Sequence, residues 1–158
     1  MEIIVVSDTH NSMEAMEKIL EISKNSDVII HLGDNIDDAR YLEKNFNGSV
    51  YMVKGNCDYG KEGENEQLIE LCGKKFFITH GDRYGVNYGL DKIYYKGLEL
   101  NADFIMFGHT HKKVLIEEGG IYILNPGSIP LPRDNSKSYI KIDILLDDNV
   151  EIDIIEIK

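Results

Sequence analysis

Two histidines occupy alternate positions at the end of an apolar stretch, in the sequence Gly108-His109-Thr110-His111. The residues before them, Ala102 to Phe107, are mostly apolar and predict a buried strand. A strand that ends in this way holds both imidazoles at one edge of a sheet. Histidine is the commonest side-chain ligand of transition metals, so the pair suggests a metal site. A polar loop explains a lone pair of histidines equally well.

Other predicted strands end in side chains of the types that bind metal ions. These side chains are Asp8 and His10, Asp34, Asn56, and His80. In a parallel sheet the carboxyl ends of the strands meet at one edge, and ligand sites form there. With His109 and His111 added, four of the five histidines in the chain lie at predicted strand ends, which random surface polarity does not explain.

The combined set exceeds what one metal ion needs. Two carboxylates, one amide oxygen and four imidazoles are too many ligands for a single tetrahedral ion. Divided between two ions, with one carboxylate bridging them, they leave open positions for water. This is the composition of a two-metal hydrolytic centre, in which the ions lie about 3.5–4 Å apart.

The elements that position these residues begin with an alternation of strands and helices. Ser12 is a suitable N-cap for the first helix. The alternation predicts a parallel sheet with helices on its faces, and so an α/β protein. The predicted elements are the strand Glu2–Ser7, the helix Met13–Ile22, the strand Asp27–Leu32, the helix Ile36–Asn45 and the strand Ser49–Val53.

Hairpins dominate the second half of the chain. No repeat or linker divides the sequence, so residues 1–158 are expected to form a single domain. We expect Cys72 to pack in the core and Leu98 to face inward on its helix. The predicted elements are a hairpin of Gln67–Cys72 and Lys75–Thr79 with its turn at Gly73-Lys74, a helix from about Asn87 to Leu100, a hairpin of Val114–Glu117 and Ile121–Leu124, and a terminal hairpin of Tyr139–Leu145 and Val150–Ile157 with one wet face.

Composition restricts the partners. The formal net charge of −11 disfavours binding to extended nucleic acid, although bound cations could admit a small anionic substrate. No apolar run is long enough to cross a membrane, and the N-terminal residues do not resemble a signal peptide. Two cysteines are too few for a disulfide scaffold, so we expect a reduced, cytoplasmic protein.

Taken in order, the motifs resemble those of the calcineurin-like metallophosphoesterase superfamily. The Gly-Asn-Cys-Asp form and the short chain resemble its small bacterial and archaeal phosphodiesterases. The resemblance implies a four-layer α/β/β/α sandwich of two mixed β-sheets flanked by helices. It rests on Asp8-x-His10, Gly33-Asp34, Gly55-Asn56-x-Asp58, His80-Gly81 and Gly108-His109-x-His111, and Asn125-Pro126-Gly127-Ser128 extends it toward the C-terminus.

The resemblance also implies how the ligands divide between two divalent ions. Asp8, His10 and His111 would hold one ion. Asn56, His80 and His109 would hold the other, and Asp34 would bridge both. Mixed nitrogen and oxygen ligands suit manganese, iron, nickel, cobalt or zinc better than magnesium, and manganese is the expected metal.

The activity implied is that of a phosphodiesterase acting on small phosphate esters, in which a hydroxide bridging the two metals attacks phosphorus. Asn56 and His109 would orient the phosphate. Cys57 stands where many superfamily members have a histidine that is thought to protonate the leaving group. A thiol is a poor substitute, so we expect a preference for good leaving groups such as aryl groups.

Two other functions stay open. A retromer subunit of eukaryotes is similar in fold but has lost a working metal site, so a non-catalytic protein-binding scaffold is the main alternative. The intact ligand set favours the enzyme. A nuclease of the same superfamily ranks lower, because the chain has no basic surface for a polymer. Exposed tyrosines and the terminal hairpin are compatible with a homodimer.

Several candidate residues also have purely structural explanations. Asp8 and Asp34 could be helix N-caps, Asn56 a turn residue, and His80 a buried histidine with both nitrogens satisfied. His31 lies inside a predicted strand and is expected to be structural.

Three charged residues near the motifs have open roles. Asp58 and Asp82 could orient ligands or could be solvated loop carboxylates. Arg133 could clamp a phosphate, but a surface position is favoured.

Overall fold

The computed structural model describes residues 1–158 and contains two five-stranded sheets and three α-helices. The elements in chain order are β1 (Glu2–Val6), α1 (Met13–Ile22), β2 (Val28–His31), α2 (Ile36–Asn45), β3 (Ser49–Met52), β4 (Glu66–Leu71), β5 (Lys74–Thr79), α3 (Asp91–Glu99), β6 (Phe104–Met106), β7 (Lys113–Glu118), β8 (Ile121–Pro126), β9 (Lys137–Ile144) and β10 (Val150–Ile157). Short 3-10 turns occupy Asn56–Asp58 and Asp82–Tyr84.

Both sheets are mixed. The first has the strand order β10-β9-β1-β2-β3, in which β1, β2 and β3 are parallel and the terminal hairpin is antiparallel. The second has the order β4-β5-β6-β8-β7, with β5, β6 and β8 parallel and an antiparallel strand at each edge. The carboxyl ends of β1, β2 and β3 therefore lie at one edge, as the alternation of elements predicted.

Side-chain alternation in β1 shows how the layers stack. Ile3 and Val5 face a core shared by the two sheets, whereas Ile4 and Val6 pack against α1 and α2. On the opposite side, Ile93 of α3 packs against the second sheet. The resulting order of helices, sheet, sheet and helix confirms the four-layer sandwich.

The first two helices begin at residues other than the candidate ligands. Ser12 caps α1, and its hydroxyl oxygen accepts a hydrogen bond from the amide of Ala15 at 3.2 Å, as predicted. Asn35 occupies the N-cap position of α2. The helix-cap explanation of Asp8 and Asp34 is therefore wrong.

Helix α3 begins at Asp91, so the prediction of a start near Asn87 was wrong. Gly85 and Gly89 have φ angles of +61° and +158°, which are incompatible with a continuous helix through this segment. Leu98 is 43% exposed and does not face inward. The prediction relied on hydrophobic periodicity alone and therefore extended the helix N-terminally past these glycines.

The hairpin between β4 and β5 turns at Cys72-Gly73, one residue earlier than predicted. Cys72 and Gly73 have φ angles of +50° and +73°, the left-handed pair that a two-residue hairpin turn requires. Cys72 is exposed at this turn, so the prediction that it packs in the core was wrong.

The terminal hairpin forms with continuous antiparallel pairing. The face of this hairpin that was predicted to be solvent-exposed is partly buried, because Ile155 and Ile157 pack against the core on the side of α1 and α2. None of the helices combines the length and the apolar character needed to cross a membrane.

Candidate metal centre

The seven predicted ligands all follow the carboxyl ends of strands, and five of them, Asp8, His10, Asp34, His80 and His111, form groups of metal-binding atoms. His109 belongs to none of these groups; its ring centroid lies 5.1 Å from that of His80, and its Nδ1 lies 3.0 Å from Oδ1 of Asn56. Asp8 and His10 follow β1, Asp34 follows β2, Asn56 follows β3, His80 follows β5, and His109 and His111 follow β6. The structure contains three groups of residues in which all the metal-binding atoms of a group lie within 4.8 Å of one another. The groups are Asp8, His10 and His111; Asp8, Asp34 and His80; and His10, Asp34 and Cys57.

The first group is centred on one oxygen of Asp8. Its Oδ1 lies 3.2 Å from Nε2 of His111 and 3.9 Å from Nε2 of His10. The two imidazole nitrogens are themselves 3.2 Å apart. Three potential ligand atoms therefore surround a common point.

The second group is centred on one oxygen of Asp34. Its Oδ2 lies 3.3 Å from Nε2 of His80 and 3.9 Å from Nε2 of His10. Nε2 of His80 is also 3.8 Å from Oδ1 of Asp8, so the two groups share a boundary. Oδ2 of Asp34 thus faces histidines of both groups.

Backbone carbonyls fix the orientation of two of these histidines. Nδ1 of His80 donates to the carbonyl of Leu32, and Nδ1 of His111 donates to the carbonyl of Leu131, each at 2.7 Å. Because a carbonyl only accepts, the proton lies on Nδ1. Nε2 then faces the centre and offers its lone pair once its own proton is lost, the arrangement that metal-binding histidines use.

Each carboxylate is anchored by one oxygen and free at the other. Oδ2 of Asp8 accepts hydrogen bonds from the Ser7 hydroxyl at 2.6 Å and the His109 amide at 3.0 Å. Oδ1 of Asp34 accepts one from the Cys57 amide at 2.9 Å. The remaining oxygens, Oδ1 of Asp8 and Oδ2 of Asp34, are those that face the histidines.

Two of the inward-facing atoms lack a hydrogen-bond partner within the protein. Oδ1 of Asp8 and Nε2 of His80 are buried and have no hydrogen-bond partner. A buried polar atom without a partner is costly, and such atoms are rare in folded proteins. A divalent ion between them would satisfy both, so the donor set fits a metal. In the metal-free protein Nε2 of His80 has only its ion-pair contact with Oδ2 of Asp34, at 3.3 Å, so the explanation of His80 as a structural buried histidine stays open.

Two glycines allow the loops to approach this closely. A Cβ atom at Gly108 would collide with the Ser7 hydroxyl and would lie 2.7 Å from Oδ2 of Asp8. A Cβ at Gly55 would collide with Oδ1 of Asp34. Glycine is thus required by close packing against the anchored carboxylate oxygens.

Similarity to known proteins identifies the family of this chain. The model of the calcineurin-like phosphoesterase superfamily domain matches residues 1–146. A probable metallophosphoesterase of Bacillus subtilis, YsnB, is 35% identical over 136 residues, which cover 84% of this chain and 78% of that protein. A phosphodiesterase of Methanocaldococcus jannaschii is 31% identical over 144 residues, covering 80% of this chain and 83% of that protein.

The chain belongs to the calcineurin-like phosphoesterase superfamily.

Solved structures agree on the fold of this phosphoesterase. A predicted phosphoesterase from Streptococcus pneumoniae has a TM-score of 0.84 and 29% identity, with 98% of this chain and 88% of that chain covered. A zinc complex of Vps29 from Entamoeba histolytica has a TM-score of 0.74 and 22% identity, with 99% of each chain covered. The second comparison shows a shared fold alone.

The loops that carry the candidate ligands of this phosphoesterase are conformationally strained. Six candidate ligand or flanking residues other than glycine have positive φ angles between 45° and 66°, and such residues concentrate at functional sites. Two backbone hydrogen bonds tie the first two loops together, from the Asp8 amide to Gly33 and from the His10 amide to Asp34. The residues are Asp8, His10, Asn11, Asp34, His109 and His111.

A buried network that the sequence did not reveal supports these loops. The Thr9 hydroxyl donates to Oδ2 of Asp38 at 2.6 Å and lies 2.9 Å from Nε2 of His31. The Gly33 amide donates to Nδ1 of His31, so Nε2 of that ring donates to Thr9. His31 is structural, as expected. Thr9 between two ligands was the one available indication of this network.

Asp58 orients the loops and is not a solvated carboxylate. It is buried, and it accepts hydrogen bonds from the amides of Gly55, Asp34 and Ile36 at 2.8, 3.2 and 2.9 Å. Asp82 lies half-buried on the second 3-10 turn.

The turn after β8 also holds the ligand loops. The Asn125 amide group donates to the Gly108 carbonyl, and the Ser128 hydroxyl donates to the Asp8 carbonyl, each at 2.9 Å. Arg133 is exposed, in agreement with the favoured surface position, and its backbone amide donates to the His111 carbonyl.

The charges of the centre reinforce one another in the metal-free protein. Burial opposes protonation of His80, but Asp34 and Asp8 outweigh it and raise the pKa of His80 to about 9. Burial likewise opposes ionisation of Asp34, yet His80 and the Cys57 amide hold the pKa of Asp34 below its usual value. Burial and the Asp34 carboxylate raise the pKa of the Cys57 thiol to about 11.

Proposed function

We propose that this phosphoesterase is a metal-dependent phosphodiesterase that hydrolyses small phosphate esters. The observation that carries the proposal is the convergence of the free oxygens of Asp8 and Asp34 with Nε2 of His10, His80 and His111. Two of these atoms are buried without a partner. The phosphodiesterase name of the archaeal relative supports the choice of a diester.

We propose that the ligands divide between two sites, of which the group of Asp8, His10 and His111 supports the first. Asp8, His10 and His111 would hold one divalent ion. Asn56, His80 and His109 would hold the other, and Oδ2 of Asp34 would contact both. When bound, two such ions would supply a water activated for attack on the ester at neutral pH. Ligands that mix nitrogen and oxygen favour a transition metal over magnesium, and manganese is the one that we propose.

In this proposal Asn56 and His109 act together to orient the phosphate. Oδ1 of Asn56 lies 3.0 Å from Nδ1 of His109, and Asn56 is exposed. Burial and the nearby His80 lower the pKa of His109, which favours its neutral form. A neutral imidazole has a single N–H. Here Nδ1 donates it to Oδ1 of Asn56, which leaves Nε2 of His109 free for a ligand role and the Asn56 amide group free to donate to a phosphate oxygen.

Electrostatics at the centre would favour an anionic ester despite the net charge of −11. Two divalent ions outweigh the two carboxylates of Asp8 and Asp34, so the occupied centre is locally positive. A cavity of about 390 Å³ beside Asn56, lined in part by Lys54, Tyr59 and Arg83, has room for a small substituent of the ester. Its size supports a small substrate.

The test begins with protein stripped of metal by a chelator. We expect added manganese, nickel, cobalt or zinc to restore hydrolysis of bis-p-nitrophenyl phosphate, with less activity on the monoester p-nitrophenyl phosphate. Asp34→Asn should abolish the restored activity. Asp37→Asn is the matched control, since Asp37 is an exposed acid on α2 that pairs with Arg40 and Lys61.

The alternative is a protein-binding scaffold, and the shared fold with Vps29 is the observation that favours it. The hydrolysis assay described above distinguishes the two functions. A well-folded protein that hydrolyses neither ester with any metal would support the scaffold. Activity that depends on metal and is lost in Asp34→Asn would support the phosphodiesterase.

A further inference from the structure

Strand β7 leaves one edge of the second sheet unpaired. It bonds to β8 on one side and has no strand on the other. Leu115 and Ile116, at its centre, are 43% and 41% exposed. An exposed edge with apolar residues is a template for pairing with another strand, and proteins normally protect such edges with charge or cover.

The charges around β7 are arranged symmetrically. The segment Lys112-Lys113-Val114-Leu115-Ile116-Glu117-Glu118 places two cations before three apolar residues and two anions after them. In an antiparallel pair of two copies centred on Leu115, Lys112 faces Glu118 and Lys113 faces Glu117. Val114 then faces Ile116, and Leu115 faces its own copy. Every cross-strand pair is favourable, whereas a parallel pair would oppose like charges.

The other three sheet edges do not offer this complementarity. β10 carries Glu151, Asp153 and Glu156 and no cation between its ends, so two copies would repel each other. β4 carries Glu66 and Glu70 and likewise has no cation.

The edge at β3 is covered within the chain. The Gln67 side chain donates to the Met52 carbonyl at 2.8 Å, and the Lys54 amide pairs with the Glu64 carbonyl. On β7 only the first residue is covered, because the Lys113 amide donates to Oδ2 of Asp134 at 2.7 Å, and self-pairing there requires this bond to be exchanged. From Val114 to Glu118, β7 is the sheet edge that offers complementary charges to a second copy.

We propose that a second copy of this chain docks on β7, edge to edge and antiparallel, with a two-fold axis through Leu115. The interface is isologous, because the same strand contributes both halves, and it joins two five-stranded sheets into one. The charge pairs neutralise each other locally, which self-association of a chain with net charge −11 requires. β7 begins shortly after the candidate ligand His111, so the interface lies next to the ligand loop of each copy.

Lys112 and Glu118 form the more informative of the two charge pairs. Lys113 already contacts Glu156 at 2.8 Å and Asp134 at 3.7 Å within its own chain, so part of its charge is compensated there. Lys112 and Glu118 are exposed. The strand is short, so we expect a reversible dimer.

Sedimentation velocity over a concentration series tests the dimer. The wild-type chain should shift from monomer to dimer as concentration rises, and Leu115→Lys should abolish the shift by placing two like charges at the axis. Leu68→Lys is the matched control, because Leu68 is 44% exposed on the edge strand β4 and should leave the dimer intact.

Charge exchange tests the register. Lys112→Glu and Glu118→Lys should each weaken the dimer at least several-fold, since each creates two repulsive pairs across the axis. The double variant restores opposite charges at both positions and should recover most of the affinity. A merely general effect of charge would not show this recovery.

Cysteine cross-linking tests the axis itself, in a chain whose native Cys57 and Cys72 are replaced by serine. Directly opposed residues of an antiparallel pair lie about 4.5–5.5 Å apart at Cα, which suits a disulfide. Leu115→Cys should therefore form a cross-linked dimer under mild oxidation, whereas Ile116→Cys faces Val114 and should cross-link far less. A chain that stays monomeric at high micromolar concentration overturns the proposal. A dimer that is indifferent to Leu115→Lys overturns it as well, because that dimer uses another surface.

Discussion

Nε2 of His80 lies 3.3 Å from Oδ2 of Asp34, while Nδ1 of the same ring donates to the Leu32 carbonyl. The ring is buried, and its pKa is raised to about 9 because Asp34 and Asp8 more than offset the effect of burial. In the metal-free protein a proton therefore occupies the position that a cation would take. Metal and proton compete for the same nitrogen.

This competition predicts that metal affinity depends on pH. Between neutral pH and about 9, an ion entering the site must displace the His80 proton, so affinity should rise with pH by up to about tenfold per unit from this group. Calorimetric titration of manganese in two buffers with different heats of ionisation measures the number of protons released. His80→Gln removes this proton and should lower that number by about one. Equal proton release in the two proteins would contradict the competition.

His31 predicts a different pH dependence, that of the stability of the metal-free protein. Burial lowers the pKa of His31 from 6.5 to about 4, so the folded state favours the neutral ring. The contribution of the neutral His31 ring to the free energy of unfolding is fully present above pH 6.5. It is lost as pH falls toward 4, because the unfolded chain binds the proton first. This pKa shift corresponds to a decrease of about 3 kcal/mol in the free energy of unfolding across that pH range.

Urea unfolding at a series of pH values measures this loss. His31→Gln should be less stable at neutral pH but should have a flatter profile between pH 6.5 and 4 than the wild type. The comparison uses chelated protein throughout, so that metal release does not contribute. An unchanged slope in the variant would assign the acid sensitivity to other groups.

The positions of the candidate ligands were predictable because each follows an apolar strand, and strand ends are visible as abrupt changes of composition. The partition of the strands into two sheets was not visible in the residue pattern, which predicted one parallel sheet. Alternation shows that a residue such as Ile3 faces a core, but it does not identify the sheet on the other side. The two-sheet fold came from the resemblance to the family.

Local backbone geometry accounts for the errors of detail. The turn at Cys72 and the late start of α3 both depend on left-handed residues, which hydrophobic periodicity does not register. The link from Thr9 to Asp38 depends on hydrogen bonds between residues far apart in the sequence. Such contacts leave no periodic trace, so the support of the ligand loops could only be seen in three dimensions.

Gly108→Ala should damage the centre through a single methyl group. Its Cβ would collide with the Ser7 hydroxyl and press on the oxygen of Asp8 that the His109 amide also contacts. We expect a loss of stability of about 1–3 kcal/mol and a weaker affinity for metal, measured by urea unfolding and calorimetry. Gly60→Ala is the control. Gly60 has a φ of +76° and open space around it, so it reports backbone strain without a collision. Equal metal affinity in both variants would show that the close approach at Gly108 is dispensable.

Cys57→His should change which leaving groups the enzyme accepts. The Cys57 amide is held 2.9 Å from Asp34, so the side chain stays beside the centre, but burial and Asp34 raise the pKa of its thiol to about 11. So weak an acid contributes little to protonating a leaving group near neutral pH, and bound cations would favour a thiolate, which cannot donate. An imidazole titrates near neutrality and can donate. The ratio of kcat/KM for alkyl esters to that for p-nitrophenyl esters should therefore rise in Cys57→His, whereas Cys57→Ser should leave it low. A ratio that is the same in all three proteins would mean that leaving-group departure needs no proton from this position.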